Sequence, residues 1–204
     1  MAFTALDVKK LREMTNVGMM DCKAALTATD GDMDKAVDWL REKGLAKAAK
    51  KADRVAAEGV AYATVVDGVG VVIEVNSETD FAAKTDAFMD LVKNLATVVA
   101  TQNPADVEAL KACKYPNSNL TVTEIMQEKV MAIGENMQSR RFIRYAENTN
   151  VAYVHAGGTH GVLVNLAVEG DIDVTELGKD VAMQIAALNP RFWDNSHVTQ
   201  SVRD

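Results

Sequence analysis

Two stretches of this 204-residue chain follow the same pattern, and that repetition limits the fold more than any other feature. Val60-Ala61-Tyr62-Ala63 is echoed by Val151-Ala152-Tyr153-Val154, and Gly70-Val71-Val72-Ile73 by Gly161-Val162-Leu163-Val164, at the same offset and without a gap. The first member reads as a hairpin: a β-branched and aromatic run from Val60 to Val66, an Asp67-Gly68 turn, and a return strand from Val69 to Val75. The return strand is almost continuously apolar, which predicts a central position or burial on both faces. Each hairpin is followed by a loop, a helix with one apolar face, and an Asn-Pro pair, Asn103-Pro104 and then Asn189-Pro190. A strand–strand–helix unit is therefore duplicated within the chain. The predicted class is α+β, with two related α/β subdomains built on antiparallel sheets.

The copies are unequal. After Val75, the polar turn Asn76-Ser77-Glu78-Thr79-Asp80 has the character of a helix cap, with Ser77 or Thr79 capping and Asp80 favouring the helix dipole. One long helix is expected to follow, with Phe81, Phe88, Leu91, Val92, Leu95 and Val99 on its inner side. Two shorter helices (Ala105 to Cys113, Thr123 to Ile133) and a strand (Gln138 to Tyr145) close the first copy. The second copy runs only to Asp204, so its sheet is expected to be incomplete, with one unpaired edge. Another chain, as in a homodimer, a rearranged tail, or further polypeptide is expected to cover that edge.

Ahead of the duplication, three short helices are expected. Leu6, Leu11 and Met14 are spaced for one helical face, the Asn16-Val17-Gly18 stretch breaks the first helix, and the second runs from Met19 to Thr27. Met33, Ala36, Val37 and Leu40 form the apolar face of a third, which should stop at Lys43-Gly44. Residues 45–57, LAKAAKKADRVAA, read as an exposed helical connector whose Lys and Arg side chains are either a solvated face or an anion-binding strip. The expected division is 1–44, 45–57, 58–147 and 148–204.

A formal charge of −7 argues against general nucleic-acid binding, which needs a basic face. Cys22 and Cys113 are too few for a disulfide framework or a zinc site, which favours a reducing, cytoplasmic setting. The first residues lack a secretory signal, and no apolar run reaches the length of a membrane span. Neither a phosphate loop, a metal-ligand spacing nor a nucleophile–base set stands out, and no cofactor is expected.

LREMTNVGMMDCKAAL, KAAKKADR, VNSETDFAAK, IGENMQSRRF and HAGGTHGVLV, in this order, resemble the elongation factor Ts family over essentially the whole chain. The resemblance implies a guanine-nucleotide exchange factor, not an enzyme of covalent chemistry, whose partner is elongation factor Tu in its GDP-bound and nucleotide-free states. It implies an N-terminal three-helix module resembling ubiquitin-associated domains, then two related α+β subdomains. It also implies that Thr79, Asp80, Phe81 and Ala82 meet the partner GTPase: the phenyl ring enters a gap between helices of the nucleotide domain, and the shift is passed to the magnesium and phosphate site. Arg12, Met19, Met20 and Lys23 are implied as a second contact, and His155 as a third. The sequence departs from the family at Ser77, usually Cys, and at Ala82, usually Val. It also lacks the C-terminal helical hairpin and closing strand of longer members.

Plainer readings stand beside these. Phe81 could pack inward beneath a helix start, Met19 and Met20 could be core packing, and His155 could be a solvated turn residue. Two functional alternatives also remain, a fragment that docks on the GTPase without efficient exchange and a nucleic-acid chaperone using the Lys43–Arg54 strip.

Overall fold

The computed structural model describes residues 3–192 and 194–203. The chain begins with helices α1 (Ala5–Thr15), α2 (Met19–Ala28) and α3 (Met33–Lys51). Thr4 caps α1 in a reciprocal box with Asp7, and Asp32 caps α3 by accepting the Lys35 N–H at 3.1 Å. The three helices close on Leu11, Val17, Cys22, Leu26, Ala36 and Leu40. The inner stripe of α1 is Val8 and Leu11, while Leu6 and Met14 are exposed, which corrects the sequence expectation. Leu6 is five residues from Leu11, a rotation of about 140° that carries it off the face.

A second correction concerns Gly44. It does not end α3, which continues to Lys51; residues 52–57 are not helical. Gly44 is buried against α7 (Val122–Ile133), where a Cβ would lie 3.4 Å from the Met131 sulfur. The missing side chain serves close helix approach here rather than a left-handed cap, and the Ala-rich stretch beyond it sustains the helix.

Strands β1 (Glu58–Val66), β2 (Val69–Ser77) and β3 (Met137–Tyr145) form an antiparallel sheet with β2 in the centre, as its apolar run predicts. A bulge between Glu74 and Val75 shifts the β2–β3 register, pairing Glu74 with Arg141 and Val75 with Ser139. Strict alternation would send Arg140 and Arg141 to opposite faces. With the bulge, both guanidiniums reach Glu74, at 3.3 and 2.6 Å.

Val71, Ile73 and Val75 face α5 (Asp86–Gln102), whose Phe88, Leu91, Val92, Leu95 and Val99 complete the main core. Short helix α6 (Val107–Ala112) and α7 flank this core. Against the other sheet face lies the second hairpin, β4 (Thr149–His155) and β5 (His160–Leu166). At Gly161 a Cβ would come within 2.8 Å of the Ala61 carbonyl oxygen, so only glycine allows this spacing between the sheets. Helix α8 (Thr175–Leu188) covers the outer face of that hairpin, with Ala182 packed on Val162 and Val164. The layers are thus helix, sheet, sheet, helix, the duplication stacked back to back. Among the described residues the second sheet has two strands. A single 3-10 turn (Asn195–His197) and α9 (Gln200–Arg203) follow α8.

Candidate functional site

The chain leaves β2 at Ser77 and turns immediately into α4 (Asp80–Ala83), a single helical turn. Thr79 is its N-cap, accepting the Ala82 N–H at 3.2 Å, while the buried Ser77 donates its hydroxyl to the Thr79 carbonyl at 2.9 Å. The expected long helix is in fact broken. Thr85 starts a new one by accepting the Phe88 N–H at 3.3 Å, and it donates its own hydroxyl back to the Ala82 carbonyl at 2.7 Å. This break decides the fate of Phe81. Instead of joining the inner face of α5, the ring is 80% exposed, the reverse of the inward packing that helix periodicity predicts. Ala82 and Ala83 point inward and are buried, so Ala82 backs the turn in the free chain. Asp80 lies beside the ring and pairs with Lys84 at 2.6 Å, a contact that lowers its carboxyl below the ordinary aspartate value.

The turn is held by the junction between α7 and β3. The Glu135 carboxylate accepts the Thr79 N–H at 3.0 Å and the Thr79 hydroxyl at 2.7 Å. In the reverse direction, Glu78 accepts the Asn136 N–H at 2.6 Å. That bond is the main cause that lowers the Glu78 carboxyl, with Arg54, 3.5 Å away, and Lys51 adding to it. The buried Asn136 side chain donates to the Arg54 carbonyl at 2.8 Å and the Ala52 carbonyl at 3.3 Å, and Lys51 donates to the Gly134 carbonyl. The end of α3, the Gly134-Glu135-Asn136 corner and the Glu78–Phe81 turn therefore form one polar knot. Glu78, Glu135 and Asn136 were absent from the sequence-derived candidates. Their signal lay in three separated motifs, KAAKKADR, VNSETDFAAK and IGENMQSRRF, which all converge here.

Met19, Met20 and Lys23 share one exposed face at the start of α2, and Arg12 is exposed on α1. Met20 is 76% exposed, so neither it nor Met19 serves as core packing. Asp21, which follows Met20, pairs with Lys47 of α3 at 2.8 Å. Lys47 and Lys51 are one helical turn apart, so α3 links the methionine face to the knot beneath Phe81. His155 ends β4, with its ring nitrogen 2.9 Å from the Tyr153 hydroxyl and the His160 ring 6.1 Å away. The hairpin tip is anchored where Ala61 donates its N–H to the Gly158 carbonyl at 2.7 Å. Ala61 pairs with Glu74, three residues before Ser77, so the His155 tip and the Phe81 turn occupy the same end of the sheet sandwich.

The basic strip is largely occupied from within. Lys47, Lys51 and Arg54 bind Asp21, the Gly134 carbonyl and Glu78, and Lys43 lies 4.2 Å from the Trp39 ring centroid. Among the described residues, no group of three or more His, Cys, Asp and Glu side chains is arranged to hold a metal ion, and no helix is long and apolar enough to cross a membrane. What the arrangement offers chemically is an apolar ring held in water beside a carboxylate, at the end of a clamped turn. A sequence model of the family described as Elongation factor TS matches residues 78–204, more than half of the chain.

Proposed function

The chain belongs to the elongation factor Ts family, a family of nucleotide-exchange factors in translation elongation whose partner is elongation factor Tu, and on that premise we propose how it acts. It binds elongation factor Tu carrying GDP, and the Asp80–Phe81 turn enters the GTPase domain and disturbs the magnesium and phosphate site, so that GDP leaves. The nucleotide-free complex forms, and incoming GTP displaces the factor. Coupling between two ligands is reciprocal, so whatever loosens GDP must itself be loosened by nucleotide.

The observation that carries this reading is Phe81, 80% exposed on a turn held to the α7–β3 junction by the Thr79 N–H on Glu135 and by the Glu78 carboxylate on the Asn136 N–H. An exposed phenylalanine stabilises nothing in the free protein. On entering a gap in a partner it acts as a rigid wedge with no polar atom to satisfy. Asp80 supplies an acidic group beside it. Each tenfold acceleration of release requires about 1.4 kcal/mol of preferential stabilisation of the release transition state. Large accelerations therefore need more than one ring. The work divides among residues 1–44, which grip through Arg12, Met19, Met20 and Lys23; residues 58–147, which carry the wedge; and residues 148–204, which add His155.

The test is release of a fluorescent GDP analogue from elongation factor Tu with and without this chain. Acceleration that saturates with added chain supports the proposal. Binding without acceleration would leave only docking.

A further inference from the structure

A four-residue helix such as α4 has no stability of its own, and an exposed ring has no packing to fix its direction. Something else must decide where Phe81 points. Thr79, the residue that starts α4, offers two donors, its N–H and its hydroxyl, and both end on the one carboxylate of Glu135. Each donor has its own carboxylate oxygen here, the N–H reaching Oε2 and the hydroxyl Oε1. A glutamate supplies both, and charge-assisted bonds of this kind are stronger than neutral ones. A glutamine would turn an NH2 group towards one of the donors, and an aspartate is a methylene shorter. Glu135 is brought to the turn directly after the left-handed Gly134 that ends α7. The neighbouring Asn136 receives the turn in reverse through Glu78 and fastens it to the end of α3.

We infer that Glu135 is a positioning residue for exchange: it makes its contacts to Thr79 and thereby sets the direction in which Phe81 leaves the protein. This rests on the wedge reading above. Through Asn136 and Lys51 the same knot fixes the wedge relative to α3, whose Lys47 holds the α2 start at Asp21. The methionine face and the ring are thereby presented in one fixed relation.

The test uses the full chain and elongation factor Tu loaded with a fluorescent GDP analogue, comparing Glu135→Gln, Phe81→Ala and the double variant. The readouts are the maximal release rate at saturating factor and the concentration giving half of it. Loss of a hydrogen-bonded charged partner should lower the maximal rate of Glu135→Gln roughly tenfold, with the half-saturating concentration changed less than about threefold. In the Phe81→Ala background the same substitution should cost less than about twofold, because there is no ring left to aim. Equal losses in both backgrounds would assign Glu135 a merely structural role and overturn the inference, as would an unchanged rate in Glu135→Gln. An unchanged rate in Phe81→Ala is a different pattern, and it overturns the wedge reading itself. If Glu135→Gln fails to fold, Glu135→Asp, a methylene shorter and leaving the Thr79 cap on Ala82 in place, must show the same dependence on Phe81.

Discussion

Phe81→Ala separates what the free protein needs from what the complex needs. A phenylalanine carries roughly 200 Å² of side-chain surface, and this ring is 80% exposed, leaving about 160 Å² to bury on a partner. At about 25 cal/mol per Å² the upper limit is about 4 kcal/mol, and the Cβ kept by alanine reduces it to about 3 kcal/mol. If most of that is realised only as nucleotide leaves, the maximal GDP release rate should fall about a hundredfold. The half-saturating concentration should move much less, since Arg12, Met19, Met20, Lys23 and His155 are untouched. Stability in urea should change by less than about 0.5 kcal/mol, because the ring packs on nothing and alanine is the better helix former in α4. Stopped-flow release at saturating factor gives the first quantity, its concentration dependence the second, and a urea titration the third. A stability loss above about 1.5 kcal/mol would show that the ring is packed and the geometric argument wrong. Equal losses in release and binding would refute its role in exchange.

Three further outcomes follow from the same geometry. Leu95→Ala, fully buried between α5 and the sheet, should cost about 2–5 kcal/mol and lower the urea midpoint without changing the slope; a loss below about 1 kcal/mol would mean the helix is not docked as described. The folded Glu78 carboxyl titrates below the ordinary glutamate value of about 4.3, so its bond to Asn136 is fully present above that value and is lost as pH falls through the folded value. Amide-exchange protection at Asn136, corrected for intrinsic rates, should therefore be constant from neutral pH down to the ordinary glutamate value and decline only below it, whereas loss between about pH 7 and 6 would contradict the assignment. Lys23→Ala, at an exposed position on α2, should slow association with elongation factor Tu severalfold at low salt and converge with the parent by about 0.5 M salt. A change confined to dissociation would place Lys23 in a buried contact instead.

The parts of this molecule that were legible in the sequence are those governed by near neighbours. Thr79, one of the two caps expected for its turn, caps α4 because a short oxygen-bearing side chain reaches the N–H groups of the next turn. The hairpin at Asp67-Gly68 and the central place of β2 follow from turn chemistry and an unbroken apolar run. Periodicity failed at Leu6, which the helical rotation carries off the inner face, and at Met14, which keeps the i+3 spacing from Leu11 but is exposed in the last turn of α1. It failed again at Phe81, where the apolar pattern of α5 was extended backwards across Lys84 and Thr85, although Thr85 caps a new helix. The candidate site was legible as a set of residue names and not as an assembly. Nothing local in Glu135 or Asn136 indicates that they hold Thr79 and Glu78, more than fifty positions away.

The sequence by itself determined the duplication, the α+β class and the hairpins, because these depend on contacts spanning a few residues and on a period that can be counted. Only the tertiary structure decided that α3 passes through Gly44, that Arg140 and Arg141 share Glu74, and that the Phe81 ring faces water on a clamped turn. Each of these depends on what stands opposite: Met131 at Gly44, a bulge at Glu74, the Glu135 carboxylate at Thr79. A glycine, an arginine or a phenylalanine carries the same local preferences wherever it occurs, and its role is settled by the partner that the fold brings to it.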